Sequence, residues 1–216
     1  MDKIKAVVWD CDGTLLDTEA LFAKGWQIVM KEYNIEISDQ TMIGFVGMDD
    51  RVVHAELSKE VNLPDFEKTM SMLHNVIRDK LSDKDLVFND VVPCLEYLLQ
   101  KNIKQGCASA SPEDILIEKL TKSDLIGYFE SIYGGDMVDN NKPSPEIYLA
   151  TYDHLNVSPH ETLVIEDSPY GIESGKRSGA KVIAIDRGMF TDEQLSFADY
   201  KIDTLDLDFF NSLISS

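Results

Sequence analysis

The chain has 216 residues, 44 % hydrophobic and 27 % charged, a balance that fits one globular domain, or a core with a smaller domain inserted, and excludes a disordered polypeptide. Its 20 Lys and Arg stand against 39 Asp and Glu, for a formal charge of −19. Such a surface repels nucleic-acid phosphates and anionic membranes, so neither is expected as a partner, and a small anion would bind only where a metal or a local cluster of donors overrides the field.

In chain order, Ile4-Lys5-Ala6-Val7-Val8-Trp9 is a short apolar run ending in Asp10-Cys11-Asp12-Gly13, which reads as a buried strand meeting a turn. Phe22, Trp26, Val29, Met30 and Tyr33 then recur at helical spacing, and they predict one apolar helix face. A second helix is expected from Asp49 to about Val61, and a third from Pro64 with Phe66, Met70, Leu73 and Ile77 on its apolar side. Beyond them helices and strands alternate: helix Val91–Lys101, strand Ile103–Ala108, helix Pro112–Lys122, strand Ser131–Tyr133, helix Pro145–Leu155, strand Thr162–Ile165, helix Pro169–Ser178 and strand Val182–Ile185. A short helix near Thr191 and a strand at Tyr200–Ile202 close the pattern. Ser111, Ser144 and Ser168, each before a proline, are predicted N-caps, and Thr191 with Gln194 a capping box.

Alternating strands and helices imply right-handed βαβ units. The expected fold is therefore α/β: a doubly wound parallel sheet (Rossmann-like), residues 1–16 and 86–216, with an α-helical domain, residues 17–85, inserted after the first strand. No apolar run approaches the ~18 residues of a membrane helix, and no signal-peptide pattern precedes the first strand. Cys11, Cys94 and Cys107 form no CxxC pair, so reduced thiols and a cytoplasmic location are expected. The aspartates flanking Cys11 would raise its pKa, which argues against a nucleophilic thiol.

Open α/β sheets bind ligands at the carboxyl ends of their strands. Asp10 and Asp12, Ser109, Lys142, and Glu166-Asp167 all follow predicted strands. Alone, each has an ordinary reading as a turn, cap or surface residue. Together they supply the hard oxygen ligands that Mg²⁺ prefers, with a hydroxyl and an amine for an anion.

Asp10-Cys11-Asp12-Gly13-Thr14-Leu15-Leu16-Asp17-Thr18-Glu19 resembles the first motif of the haloacid dehalogenase superfamily of phosphatases. Ala108-Ser109-Ala110-Ser111, Lys142-Pro143-Ser144-Pro145 and Val164-Ile165-Glu166-Asp167-Ser168 resemble its second to fourth. The likeness spans nearly the whole chain and is strongest to the β-phosphoglucomutase-like branch. It implies a phosphoric monoester hydrolase in which the helical insertion is a cap. Asp10 would be the nucleophile and Asp12 the acid and base. Mg²⁺ would be held by Asp10, Asp12 (through its backbone carbonyl), Asp167 and Glu166. Ser109 and Lys142 would bind the phosphoryl group, with Thr18 and Arg51 on the substrate.

Dehalogenases of the superfamily lack the second aspartate, and the branch's mutases carry a histidine where this chain has Phe22. A phosphatase of small phosphorylated metabolites, phosphosugars foremost, is therefore expected ahead of a phosphosugar mutase. A catalytically silent phosphometabolite sensor is the alternative from outside enzymology. Gly47, Asp49, Asp50 and Arg51 resemble a cap loop that meets substrate. His54, His74, His154 and His160 show no metal spacing, and Met70 and Met72 read as core filler. A monomer or weak dimer is expected.

Overall fold

The computed structural model describes residues 3–43, 45, 50–80 and 86–214. The chain divides into two compact units, Met1–Leu16 with Lys84–Ser216, and Asp17–Asp83.

The first unit is a six-stranded parallel sheet in the order β3-β2-β1-β4-β5-β6. Its strands are β1 Ala6–Trp9, β2 Lys104–Ala108, β3 Ser131–Tyr133, β4 Thr162–Glu166, β5 Lys181–Ile185 and β6 Tyr200–Ile202. Alternate side chains of a strand face opposite sides, and β1 is fully buried on both. Val7 and Trp9 join Ile165, Ile183 and Leu95 in one core, while Ala6 and Val8 join Val164, Ile147 and Ile172 in the other. A continuous apolar run is what a central parallel strand covered on both faces requires.

The second unit holds helices α1 Glu19–Glu32, α2 Asp39–Ile43, α3 Asp50–Leu57 and α4 Phe66–Lys80. Helices α1 and α4 pack together. Trp26, Val29 and Met30 of α1 and Met70 and Leu73 of α4 are buried, so Met70 is core. His54 bonds the Pro64 carbonyl at 2.9 Å and meets Phe66 edge-on. Gly47 and Asp49 lie outside the described residues, as do the side chains of Phe22 and Ile77.

The sheet's helices are α5 Val91–Gln100, α6 Glu113–Lys122, α7 Glu146–Leu155, α8 Pro169–Arg177, α9 Asp192–Leu195 and α10 Leu207–Ile214. Two sequence expectations need correction. The chain does not end its pattern at β6. Helix α10 follows, with Leu207, Phe210 and Ile214 at helical spacing and Phe210 packed 6.3 Å from Trp9. Of the three predicted serine caps only Ser168 is one, accepting from Gly171 N at 3.1 Å. Pro112 and Pro145 occupy the other two cap positions, and the hydroxyls of Ser111 and Ser144 bond side chains instead. The Thr191–Gln194 capping box forms as expected.

Where the chain leaves and rejoins the core, Leu16 bridges Val87 and Phe88 N donates to Leu15 O at 3.2 Å. Arg187 ties this region together. Its guanidinium makes a two-pronged pair with Asp90 at 2.9 and 3.0 Å, donates to Thr14 O at 3.2 Å and lies 4.0 Å over the Phe88 ring. Thr204 and Leu205 also donate to Asp90. Arg187→Met should destabilise the protein by about 2 kcal/mol, less than for a fully buried pair because Asp90 is partly exposed and keeps two donors, and lower Tm by roughly 4–8 °C. Burial raises the Asp90 pKa, but the bonds from Arg187 and Leu205 outweigh it and hold it below 3.8. The stabilisation is therefore complete above the unfolded value and lost as pH falls through the lower folded one. Melting curves of wild type and variant should converge as pH falls below the unfolded value of 3.8.

Candidate active site

β1 is central, and the chain winds outward from it to β3 on one side and to β6 on the other. This topological switch point lies between β1 and β4. Trp9 aligns with Cys107 on β2 and Ile165 on β4. The residues that follow, Asp10, Ser109, Glu166 and Asp167, therefore emerge side by side.

A tight turn follows β1, in which Leu15 N and Leu16 N both donate to Cys11 O and Gly13 N donates to Leu16 O. Gly13 has φ +81°, and a Cβ there would run into the Asp167 carboxylate. Both the left-handed backbone and the close approach demand glycine. Thr14 Oγ1 donates to Asp167 Oδ1 at 3.3 Å. Gly171, on α8, leaves the space that the Glu166 carboxylate fills.

Lys142 reaches in from the loop before α7, its side chain 6 % exposed. Its Nζ donates to Asp10 Oδ1 at 2.6 Å, Glu166 Oε1 at 2.7 Å and Ala108 O at 2.9 Å. The loop is pinned to the segment that follows β2 by Asn141, which donates to Ala110 O at 3.0 Å. Glu166 is fully buried. Tyr148 OH donates to its Oε1 at 2.7 Å, and Ser168 gives Oε2 both its backbone N–H and its hydroxyl.

Carboxylate oxygens of Asp10, Glu166 and Asp167 all lie within 4.8 Å of one another. The Asp12 carboxylate is not one of this group. Ser109 Oγ and Ser111 Oγ each donate to its Oδ2 at 3.0 Å, and Lys119 Nζ to its Oδ1 at 2.5 Å. The Asp12 side chain is thus held from the segment after β2 and from α6, and does not belong to the acidic group.

The chain matches the family described as haloacid dehalogenase-like hydrolase over residues 7–185. The protein belongs to that family. A phosphorylated carbohydrates phosphatase of Thermotoga maritima is 31 % identical over 187 residues, covering 83 % of this chain and 84 % of the relative. A fructose-1-phosphate phosphatase of Escherichia coli is 27 % identical over 192 residues, covering 85 % and 97 %. The crystal structure of a protein described as a β-phosphoglucomutase of Thermotoga maritima superposes with TM-score 0.79 at 29 % identity, covering 92 % of this chain and 94 % of that one. These likenesses put this haloacid dehalogenase-like hydrolase in the β-phosphoglucomutase-like branch.

The electrostatics of the hydrolase follow from crowding. Burial pushes the Asp10 pKa up to about 7, with Lys142 pulling it back and Glu166 and Asp12 adding to the rise. Burial disfavours the Lys142 ammonium, yet Asp10 and Glu166 outweigh it and leave its pKa above the lysine norm. Lys119 is likewise raised, because Asp12 overcomes the effect of burial. Four carboxyl groups, Asp10, Asp12, Glu166 and Asp167, share two lysines here, a crowding of oxygen donors that suits a divalent cation. Oxygen donors in this number fit Mg²⁺.

The core thus brings together Asp10, Asp12, Ser109, Lys142, Glu166 and Asp167. Thr18 and Arg51 belong to the other unit, where Thr18 is buried and Arg51, exposed, stacks 4.3 Å over the Phe66 ring. Cys11 is buried, and its thiol pKa is raised first by a hydrogen bond with Cys107, then by burial and Asp12, which fits an inert thiol. Sequence reasoning missed Lys119 and Tyr148 and took Ser111 for a cap. Lys119 had a visible signal, being a lysine on the stripe Ile115, Leu116, Lys119, Leu120 that α6 buries. Tyr148 had none, since it sits among other core residues of α7.

Proposed function

We propose that this hydrolase is a Mg²⁺-dependent phosphatase of small phosphomonoesters, phosphosugars foremost, working through an aspartyl-phosphate on Asp10. The observation that carries this reading is the division between two neighbouring carboxylates. Asp10 sits with Glu166, Asp167 and Lys142, while Asp12, two residues on, is held apart by two hydroxyls and an ammonium.

In the first half-reaction an Asp10 oxygen attacks phosphorus, the bond to the leaving oxygen breaks, and Asp12 gives that oxygen a proton. In the second, Asp12 takes a proton from water as the water attacks phosphorus, releasing inorganic phosphate and free Asp10. Lys142 and Ser109 bind the phosphoryl oxygens, which otherwise repel an anionic nucleophile. Asp10, Asp167, Glu166 and the Asp12 backbone carbonyl would hold the metal, Glu166 being tied to Lys142 as well. When bound, the metal neutralises phosphoryl charge and favours ionised Asp10. Support for phosphosugars comes from the substrates named for the Thermotoga maritima and Escherichia coli relatives.

The test is phosphate release from a panel of phosphosugars and other small phosphomonoesters, with Mg²⁺ and with chelator. Metal-dependent turnover with phosphosugars preferred is expected. Absence of release from every substrate by folded, Mg²⁺-supplied protein would overturn the phosphatase reading.

A further inference from the structure

We propose that Lys119 is a positioning residue of this reaction, anchoring the Asp12 carboxylate on the β2–α6 side of the site, apart from the acidic group around Asp10. The inference rests on Asp12 being the acid and base of the proposed function.

Lys119 projects from the buried stripe of α6, and its side chain is 0 % exposed. An ammonium is costly to bury unless a partner and hydrogen bonds compensate it. Here the compensation is specific: Nζ bonds Asp12 Oδ1 at 2.5 Å and Ser111 Oγ at 3.0 Å. Ser111 and Ser109 hold the other oxygen, Oδ2. Two hydroxyls on one oxygen fix a point about which the carboxylate can still pivot. The bond from Lys119 to the second oxygen fixes its plane.

The reason to fix it lies in spacing. Asp12 is two residues from Asp10, and a cation among Asp10, Glu166 and Asp167 attracts any carboxylate within reach. Asp12 on that cation would be lost to proton transfer. The Lys119 charge, bonded to Asp12 Oδ1, competes for it. Lys119 also outlasts the hydroxyl: when the phosphoryl group engages Ser109, Asp12 loses a donor, and the ammonium keeps the freed carboxylate beside the leaving oxygen.

The experiment uses Lys119→Met, Lys119→Arg, Asp12→Asn and the double variant Asp12→Asn/Lys119→Met, each with Mg²⁺ and the best panel substrate. Lys119→Met should lower kcat roughly 10- to 100-fold with KM within about twofold, the pattern of a group acting in the transition state rather than in substrate binding. In the Asp12→Asn background the same substitution should change the residual rate by less than about twofold, because residues acting through one another are not additive. A purely structural effect would multiply through both backgrounds. Lys119→Arg keeps the charge and should retain more activity than Lys119→Met; it also supplies a folded variant should Lys119→Met fail to fold. A Lys119→Met kcat within about twofold of wild type, where Asp12→Asn lowers kcat strongly, overturns the proposal. So does equal loss in both backgrounds, or Lys119→Arg no better than a folded Lys119→Met. An Asp12→Asn variant with wild-type kcat overturns the catalytic reading of Asp12 itself, and the proposal with it.

Discussion

Asp10→Asn should reduce kcat for phosphate release by about ten-thousandfold or more, the scale on which loss of a nucleophile is felt. The amide keeps the shape of the carboxylate but is far too poor a nucleophile to attack phosphorus. The fold should survive, because Lys142 keeps Glu166 Oε1 and Ala108 O as partners. Stability should separate this variant from a misfolded one. Without metal the folded Asp10 pKa is pushed up to about 7 from 3.8. Between those values the unfolded chain has released the proton and the folded chain keeps it, so wild-type stability falls as pH rises through this window. Asn carries no such penalty. In chelator, Asp10→Asn should therefore gain on wild type in Tm from pH 4 to pH 7. Added Mg²⁺ should reverse the order by stabilising wild type more than the variant. Phosphate release at the wild-type rate would remove Asp10 from the chemistry, and a Tm difference unchanged with pH would remove the crowding argument.

Lys142→Met should be damaging in two ways at once. The methionine stem replaces the apolar part of the lysine, but it leaves Asp10 and the fully buried Glu166 without their shared cation. Removing one partner of a buried charged set costs about 3–5 kcal/mol, a fall in Tm of roughly 10 °C for a chain of this size. Activity should fall about a thousandfold, because a positive charge aimed at the phosphoryl oxygens is lost. Mg²⁺ should return part of the stability, since it supplies charge to the same carboxylates, but little of the activity. Melting with and without Mg²⁺, followed by kinetics well below the variant's Tm, separates the two effects. Unchanged Tm together with kcat within about tenfold of wild type would show that Lys142 is not the hub its contacts describe.

The two predictions differ in how far the sequence alone could reach them. Asp10 stands at the end of a continuous apolar run, before a turn marked by Gly13. That pattern is local, and a strand end in an open α/β sheet is a place to look for a site. Lys142, read in isolation, is a loop lysine like any other. The four-motif resemblance singled it out, and 132 residues separate it from Asp10.

The sequence by itself determined the alternation of strands and helices, the insertion after β1, and the segments that converge at the strand ends. Each rests on patterns a few residues long: apolar runs, helical spacing, and glycine or proline at turns. Only the tertiary structure decided that Asp12 is held by Ser109 and Lys119, that the Ser111 hydroxyl bonds Asp12 rather than capping its helix, and that a buried lysine and a buried tyrosine complete the hydrogen-bond network around the carboxylates. Lys119 lies 107 residues from Asp12, and Ser111 lies 99. Which hydroxyl or ammonium meets a carboxylate depends on which strands become neighbours. Sequence periodicity records which face of a helix is buried. It does not record what that face is buried against.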